Sequence, residues 1–148
     1  MHRTEVRSIV NDMGCTDRRG LKTILVPTDF LEPSDVALQL AIDLAKQQNA
    51  RIHLLHVLRF RHGADEMERI KKQVAKFPEA KSVEIVPEIR TGKIDKEILK
   101  AETEKNIDLI VIARHEKKGL ARGPFNLFRS VTQRVKRNAR RSVLVVGA

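Results

Sequence analysis

Apolar positions along this chain switch between a period of two and a period near 3.6, and the switches mark its elements. The last third is the most legible. Ile107-Asp108-Leu109-Ile110-Val111-Ile112-Ala113 is a near-continuous apolar run, and Ser142-Val143-Leu144-Val145-Val146 is a second. Short, β-branched runs of this kind are strands covered on both faces, as in a parallel sheet. Between them the spacing predicts a helix over about 126–138, preceded by a long connection.

The same alternation runs through the earlier chain. Residues 21–28 (LKTILVPT) read as the first strand, with Pro27 at its end, where a missing ladder donor matters least. Asp29 follows, and Pro33 opens a helix, where its fixed φ helps and its absent N–H costs little. Ala37, Leu40, Ala41, Leu44 and Ala45 form that helix's inward stripe, and Asn49 ends it. Residues 51–58 are the second strand. A helix over 62–77 carries Met67, Ile70, Val74 and Phe77 inward, with Glu68 and Lys72 paired on its wet side. Residues 82–89 are the third strand, and Pro87 argues that it lies at an edge. Thr91-Gly92 breaks the chain before a helix over about 94–105 with Ile94, Ile98 and Ala101 inward.

Strands alternating with helices predict an α/β protein: one open, parallel, five-stranded sheet with helices on both faces. Right-handed crossovers and the Pro-bearing edge give the strand order 3-2-1-4-5. The first and fourth strands are then central neighbours whose following helices leave to opposite faces. That opens a crevice at their C-terminal ends. Pro27-Thr28-Asp29 lies on one lip and Ala113-Arg114-His115 on the other.

Composition narrows the class. The 148 residues suffice for one domain with a core, and 41% apolar with 32% charged residues suits a globular protein. No apolar run reaches bilayer-spanning length, so no membrane association is expected. Residues 1–20 are polar and unpatterned, read as a flexible tail without a signal-peptide core, which points to the cytoplasm. The single cysteine, Cys15, fits a reducing compartment. His53 and His56 have opposite parity on their strand, so they cannot chelate one metal.

Charge is uneven. Residues 114–141 hold ten Lys/Arg and one acid, Glu116, so they carry +9 of the net +10. Such a field attracts phosphate, nucleic acid or an acidic partner, and it also describes a merely solvated helix face. Lys117, Lys118, Arg122 and Arg129 are the candidate anion-binding side chains. Phe125 and Phe128 fall in the same segment. Phe128 shares a helical face with Val131 and Val135, which places it in the core rather than against a base.

Several stretches together resemble the universal stress protein (UspA-like) family. They are KTILVPTDFLEPSDVALQLAIDLAKQQNARIHLLHVL, IDLIVIARHEKKGL and SVTQRVKRNARRSVLVV. The resemblance covers residues 21–148 as one domain. It implies the Rossmann-like, adenine-nucleotide-alpha-hydrolase-like fold and a homodimer joined through the last strand, 142–146. Many members bind ATP through G-x2-G-x9-G-[S/T] after the fourth strand, where glycines let backbone N–H groups approach phosphates. Here Ala113 stands at the first glycine, Glu116 at the second and Arg129 at the third, followed by the retained Ser130. The spacer from Lys117 to Phe128 is twelve residues, three longer than the pattern. Pro27, Thr28 and Asp29 match the family's adenosine-contacting positions, although a carboxylate at Asp29 also suits a turn or helix cap. A nucleotide, if bound, would meet these three together with Ala113, Arg114, Arg129, Ser130 and Val131.

The sequence shows no nucleophile–base pair, no metal-ligand cluster and no phosphate loop with its Lys-Ser/Thr pair. The expectation is therefore a non-enzymatic stress-response module with a degenerate nucleotide site. Two alternatives stay open. One is an ATP- or AMP-binding protein that uses the basic loop in place of glycines. The other is an anion- or nucleic-acid-binding module built on the 114–141 patch.

Overall fold

The computed structural model describes residues 20–61, 65–114 and 124–147, and of residues 124–129 the helical backbone. The elements run β1 (Thr23–Pro27), α1 (Glu32–Gln48), β2 (Arg51–Leu58), α2 (Glu66–Ala75), a short 3-10 helix (Pro78–Ser82), β3 (Ile85–Thr91), α3 (Ile94–Glu104), β4 (Leu109–Arg114), α4 (Pro124–Asn138) and β5 (Ser142–Gly147). The sheet is five-stranded and parallel, in the order β3-β2-β1-β4-β5. Right-handed crossovers put α1 and α2 on one face and α3 and α4 on the other, and α3 packs against α4. Of the expected tail, residues 1–20, all but Gly20 lie outside the described residues.

The core is the sheet's apolar interior. Ile24, Leu25, Ile52, Leu54, Leu109, Ile110, Val111 and Ile112 are fully buried. The central strands are therefore apolar on both faces, which is why they read as unbroken runs. Helix α1 buries more than its expected stripe, because Leu38 and Ile42 are fully enclosed while Leu40 is only partly so. Pro33 lies in its first turn, and Asn49 closes it in the left-handed region at φ 53°, with its N–H bonded to the Ala45 carbonyl.

The largest departure from the sequence reading lies between residues 62 and 91. The helix ends at Ala75, and Pro78 then starts the 3-10 turn that consumes residues expected to begin the third strand. The strand consequently starts at Ile85 and runs to Thr91. It is an edge strand, as Pro87 requires. Lys71, not Lys72, pairs with Glu68, at 3.3 Å. Gly92 earns its place: φ is 154°, its N–H donates to the Leu58 carbonyl at 2.8 Å, and a Cβ would sit 3.0 Å from Glu97.

Two carboxylates fasten distant segments. The Asp108 carboxylate accepts the backbone N–H groups of Lys22 and Thr23 at 2.9 and 3.0 Å, which fixes the start of β1 beside β4. Glu102, 4% exposed, accepts the N–H groups of Arg140 and Arg141 at 3.1 and 3.0 Å and ties α3 to the entry of β5.

His53 is buried at 8% exposure and its Nδ1 has no hydrogen-bond partner. Burial, with the nearby positive charges of Lys105 and Arg51, holds its pKa below the ordinary 6.5. An unfolded chain takes up a proton near that ordinary value while the folded one resists. Stability is therefore expected to fall as pH drops below about 6.5 towards the folded-state pKa. Urea midpoints measured between about pH 7 and pH 5 should fall less steeply for His53→Leu than for the unaltered chain. Parallel curves would remove His53 from the acid response.

Candidate functional site

β1 and β4 pair only at Ile24↔Leu109 and Leu25↔Ile110. Beyond that point each strand follows its other neighbour. β1 stays with β2 to Pro27↔Leu55, and the Thr28 N–H continues the ladder to the Leu55 carbonyl at 2.8 Å. β4 stays with β5 to Arg114↔Gly147. The sheet thus forks at its C-terminal edge, where the strand order reverses direction and ligands bind in open α/β sheets.

The first lip is built from the turn after β1. Thr28 is 4% exposed, and four partners hold it. Besides the N–H bond, its Oγ1 donates to Gln73 Oε1 at 3.0 Å and accepts the Phe30 N–H at 3.0 Å. Its carbonyl accepts from His56 Nδ1 at 2.7 Å, which assigns the ring proton to that nitrogen. Asp29 Oδ1 accepts from the Ser34 hydroxyl at 2.6 Å and from the Leu31 N–H at 3.0 Å. The Asp29 carboxylate therefore braces the turn that leads into α1. Phe30 takes a positive φ of 67°, uncommon for a residue with a bulky side chain, and two contacts hold it there. Its ring lies 4.3 Å from the His56 ring, and the Arg69 guanidinium sits 4.4 Å from its centroid. Glu66 completes the cluster, 3.4 Å from His56 Nε2 and 3.3 Å from Arg69.

Sequence reasoning placed Pro27, Thr28 and Asp29 at this lip but missed the α2 residues that support it. Gln73 is 2% exposed and bridges Thr28 to Asp35, its Nε2 donating to Asp35 Oδ1 at 2.9 Å. The available signal was a polar residue at an inward position, between Ile70 and Val74 on the α2 stripe. Nothing local flagged Glu66 or Arg69, which the fold brings to the lip from a helix two elements away.

On the second lip, Ala113 is fully buried and its carbonyl accepts from Thr132 Oγ1 at 2.9 Å. Arg114 is exposed and Ser130 half-buried, while Val131 is 2% exposed and belongs to the core. The fork therefore brings Thr28, Asp29, Ala113 and Arg114 to one edge, with α4 leading away from it. His115, Glu116, Lys117, Lys118, Gly119, Arg122, Gly123 and the side chains of Phe125, Phe128 and Arg129 lie outside the described residues. The two helices beside the fork differ in charge. The first turn of α1 carries Glu32 and Asp35, whereas the first turn of α4 has no acid. A phosphate is thus disfavoured at the first helix and accommodated at the second. Among the described residues no group of three His, Cys, Asp or Glu is placed to hold a metal ion.

Comparison with known proteins gives this geometry a lineage. The model of the universal stress protein family matches residues 20–147. The chain is similar to universal stress protein MJ0531 of Methanocaldococcus jannaschii, with 32% identity over 141 residues, covering 84% of this chain and 81% of that protein. It resembles a universal stress protein solved in complex with cAMP, at 22% identity and a TM-score of 0.66, covering 85% of this chain and 96% of the other. It also resembles the Archaeoglobus fulgidus universal stress protein solved in complex with dAMP, at 15% identity and a TM-score of 0.63, covering 85% and 97%. At these identities the two structures carry the fold alone, a five-stranded parallel sheet of the Rossmann-like, adenine-nucleotide-alpha-hydrolase-like class.

Asp29→Ala should destabilise the protein by about 1–2 kcal/mol, since it removes the acceptor for both Leu31 and Ser34. Urea unfolding reads this directly. A loss under about 0.3 kcal/mol would mean that the turn does not depend on the carboxylate.

Proposed function

The chain belongs to the universal stress protein family, and on that premise we propose that it is a non-enzymatic stress-response module whose forked sheet edge takes an adenine mononucleotide. The observation that carries this reading is the fork itself: a braced lip at Thr28 facing an α4 that begins without acids. The cAMP and dAMP complexes of two structural relatives support a monophosphate ligand. ATP fits less well. The glycine pattern is replaced at Ala113, Glu116 and Arg129, and the Ala113 carbonyl is engaged by Thr132. In this reading side-chain cations hold the phosphate in place of backbone N–H groups: Arg114 at the lip, with Lys117, Lys118 and Arg122 from the connection and Arg129 from α4. Asp29, a carboxylate at the fork among the described residues, is committed to its turn, which supports a binding rather than a catalytic role. A cytoplasmic protein accords with this role, and no helix among the described residues is long and apolar enough to cross a membrane.

Calorimetric titration is the test. AMP should bind saturably with Kd in the range of about 10 µM to 1 mM, and more tightly than ATP with magnesium. Arg114→Ala should weaken AMP several-fold, and no phosphate should be released from ATP over a day. Absence of heat with AMP at millimolar concentration would overturn the nucleotide reading. Steady turnover would overturn the non-enzymatic one.

We also propose a homodimer through β5. This strand is outermost, and Val143, Leu144, Val145 and Val146 are only partly covered. An uncovered apolar edge invites pairing. Sedimentation at about 50 µM should show a dimer, and Val145→Lys should yield a monomer. A monomeric unaltered chain at that concentration would exclude it.

A further inference from the structure

The helical face formed by α3 and α4 sorts its charges by depth. A groove runs along α3 and past the C-terminal end of α4, lined by Lys96, Leu99, Lys100, Thr103, Asn138 and Arg140 among others. Its acids are already used. Glu102 is buried and both its oxygens are bonded to backbone N–H groups. Glu104, which stays exposed, is held by Arg90 at 2.7 Å. Glu97 lies 3.6 Å from Lys100 and 4.0 Å from Arg90, and Asp95, 7% exposed, lies 3.9 Å from Arg134. The bases point outward. Lys96, Lys136, Arg137, Arg140 and Arg141 are exposed, and none makes an ion pair among the described residues.

A surface whose acids are already paired, set among exposed cations that are not, attracts an extended anion. Its composition narrows which one. A docked protein segment requires an apolar or aromatic centre, and this groove offers one apolar side chain, Leu99. The exposed large hydrophobic residues of the described chain are Leu31, Val36 and Phe60, none of which lines it. A single strand would need rings for its bases to stack on, and no ring among the described residues lines the groove. A duplex presents only its phosphates and needs only cations. We propose that the α3–α4 face docks the phosphodiester backbone of duplex nucleic acid. The site is separate from the fork. Helices of a parallel sheet run against the strands, so the C-terminal ends of α3 and α4 lie at the sheet's opposite edge.

Fluorescence anisotropy of a labelled DNA duplex of about 20 base pairs, titrated with the full chain from about 50 mM salt upward, tests the proposal. Binding should weaken linearly in a log–log plot against salt. Lys96→Gln/Lys100→Gln/Arg140→Gln should lower that slope by roughly two to three, and Arg140→Gln alone by about one. A triple of equal charge on the opposite helical face, Lys46→Gln/Lys72→Gln/Lys81→Gln, should leave affinity within about twofold. No binding at the lowest salt would overturn the proposal. So would equal losses in the two triples, which would mean that net charge alone acts, or equally tight binding of polyglutamate, which would mean an acidic polypeptide partner.

Discussion

The crevice at the C-terminal edge of the sheet depends on how briefly β1 and β4 touch. Two residue pairs join them, and the Asp108 carboxylate pins the base of that contact by taking two N–H groups from the start of β1. Past Leu25 and Ile110 each strand has a better partner on its other side, so the ladder divides. Parallel strands with helices leaving to opposite faces cannot close such a gap, because no element follows both strands. The site is therefore a product of topology first and of side chains second. The crevice keeps its outline whatever residues stand at Ala113, Glu116 and Arg129, the positions at which the resemblance would put glycines.

The lip at Thr28 shows how the fork is kept from collapsing. A buried threonine with its hydroxyl, carbonyl and N–H all engaged cannot rotate freely, and Asp29 and Phe30 are fixed in turn by Ser34, Leu31, His56 and Arg69. The cost of holding Phe30 at positive φ is of order 1 kcal/mol. The tilted contact with the His56 ring and the Arg69 cation over Phe30 offset that cost. Helix α2 thus acts as a buttress, which explains why a helix so polar on its outside still buries a glutamine.

The fold was legible because its central strands are covered twice. Ile107 to Ala113 and Val143 to Val146 need no periodicity to be recognised, and Pro87 marked an edge. The misreading between residues 75 and 85 has an equally local cause: Pro78 turned a helix end into a 3-10 turn and displaced the next strand. At the site, Thr28 and Asp29 were legible as a strand-end turn. Gln73 and Glu66 were not, because their role comes from one helix folding over the end of a strand 45 residues away in sequence, and neither was His56, which reaches the Thr28 carbonyl from the neighbouring strand β2. The basic segment was visible as a count, but half of the face it belongs to lies on α3. There, lysines and glutamates nearly cancel in the sequence and separate only once burial is known.

The Asp108 contact spans 86 residues of chain, and this separation bears on the order in which the molecule assembles. The run from β1 to β3 consists of adjacent parallel strands joined by the single crossovers α1 and α2, so its contacts carry less loop-closure entropy than the join of β1 to β4. The join of β1 to β4 must wait until α3 has crossed back over the sheet. The crevice between β1 and β4 is then among the last features to form in refolding, and the exposed inner edge of β1 is the surface that a chaperone or a misfolded neighbour would meet in the interval.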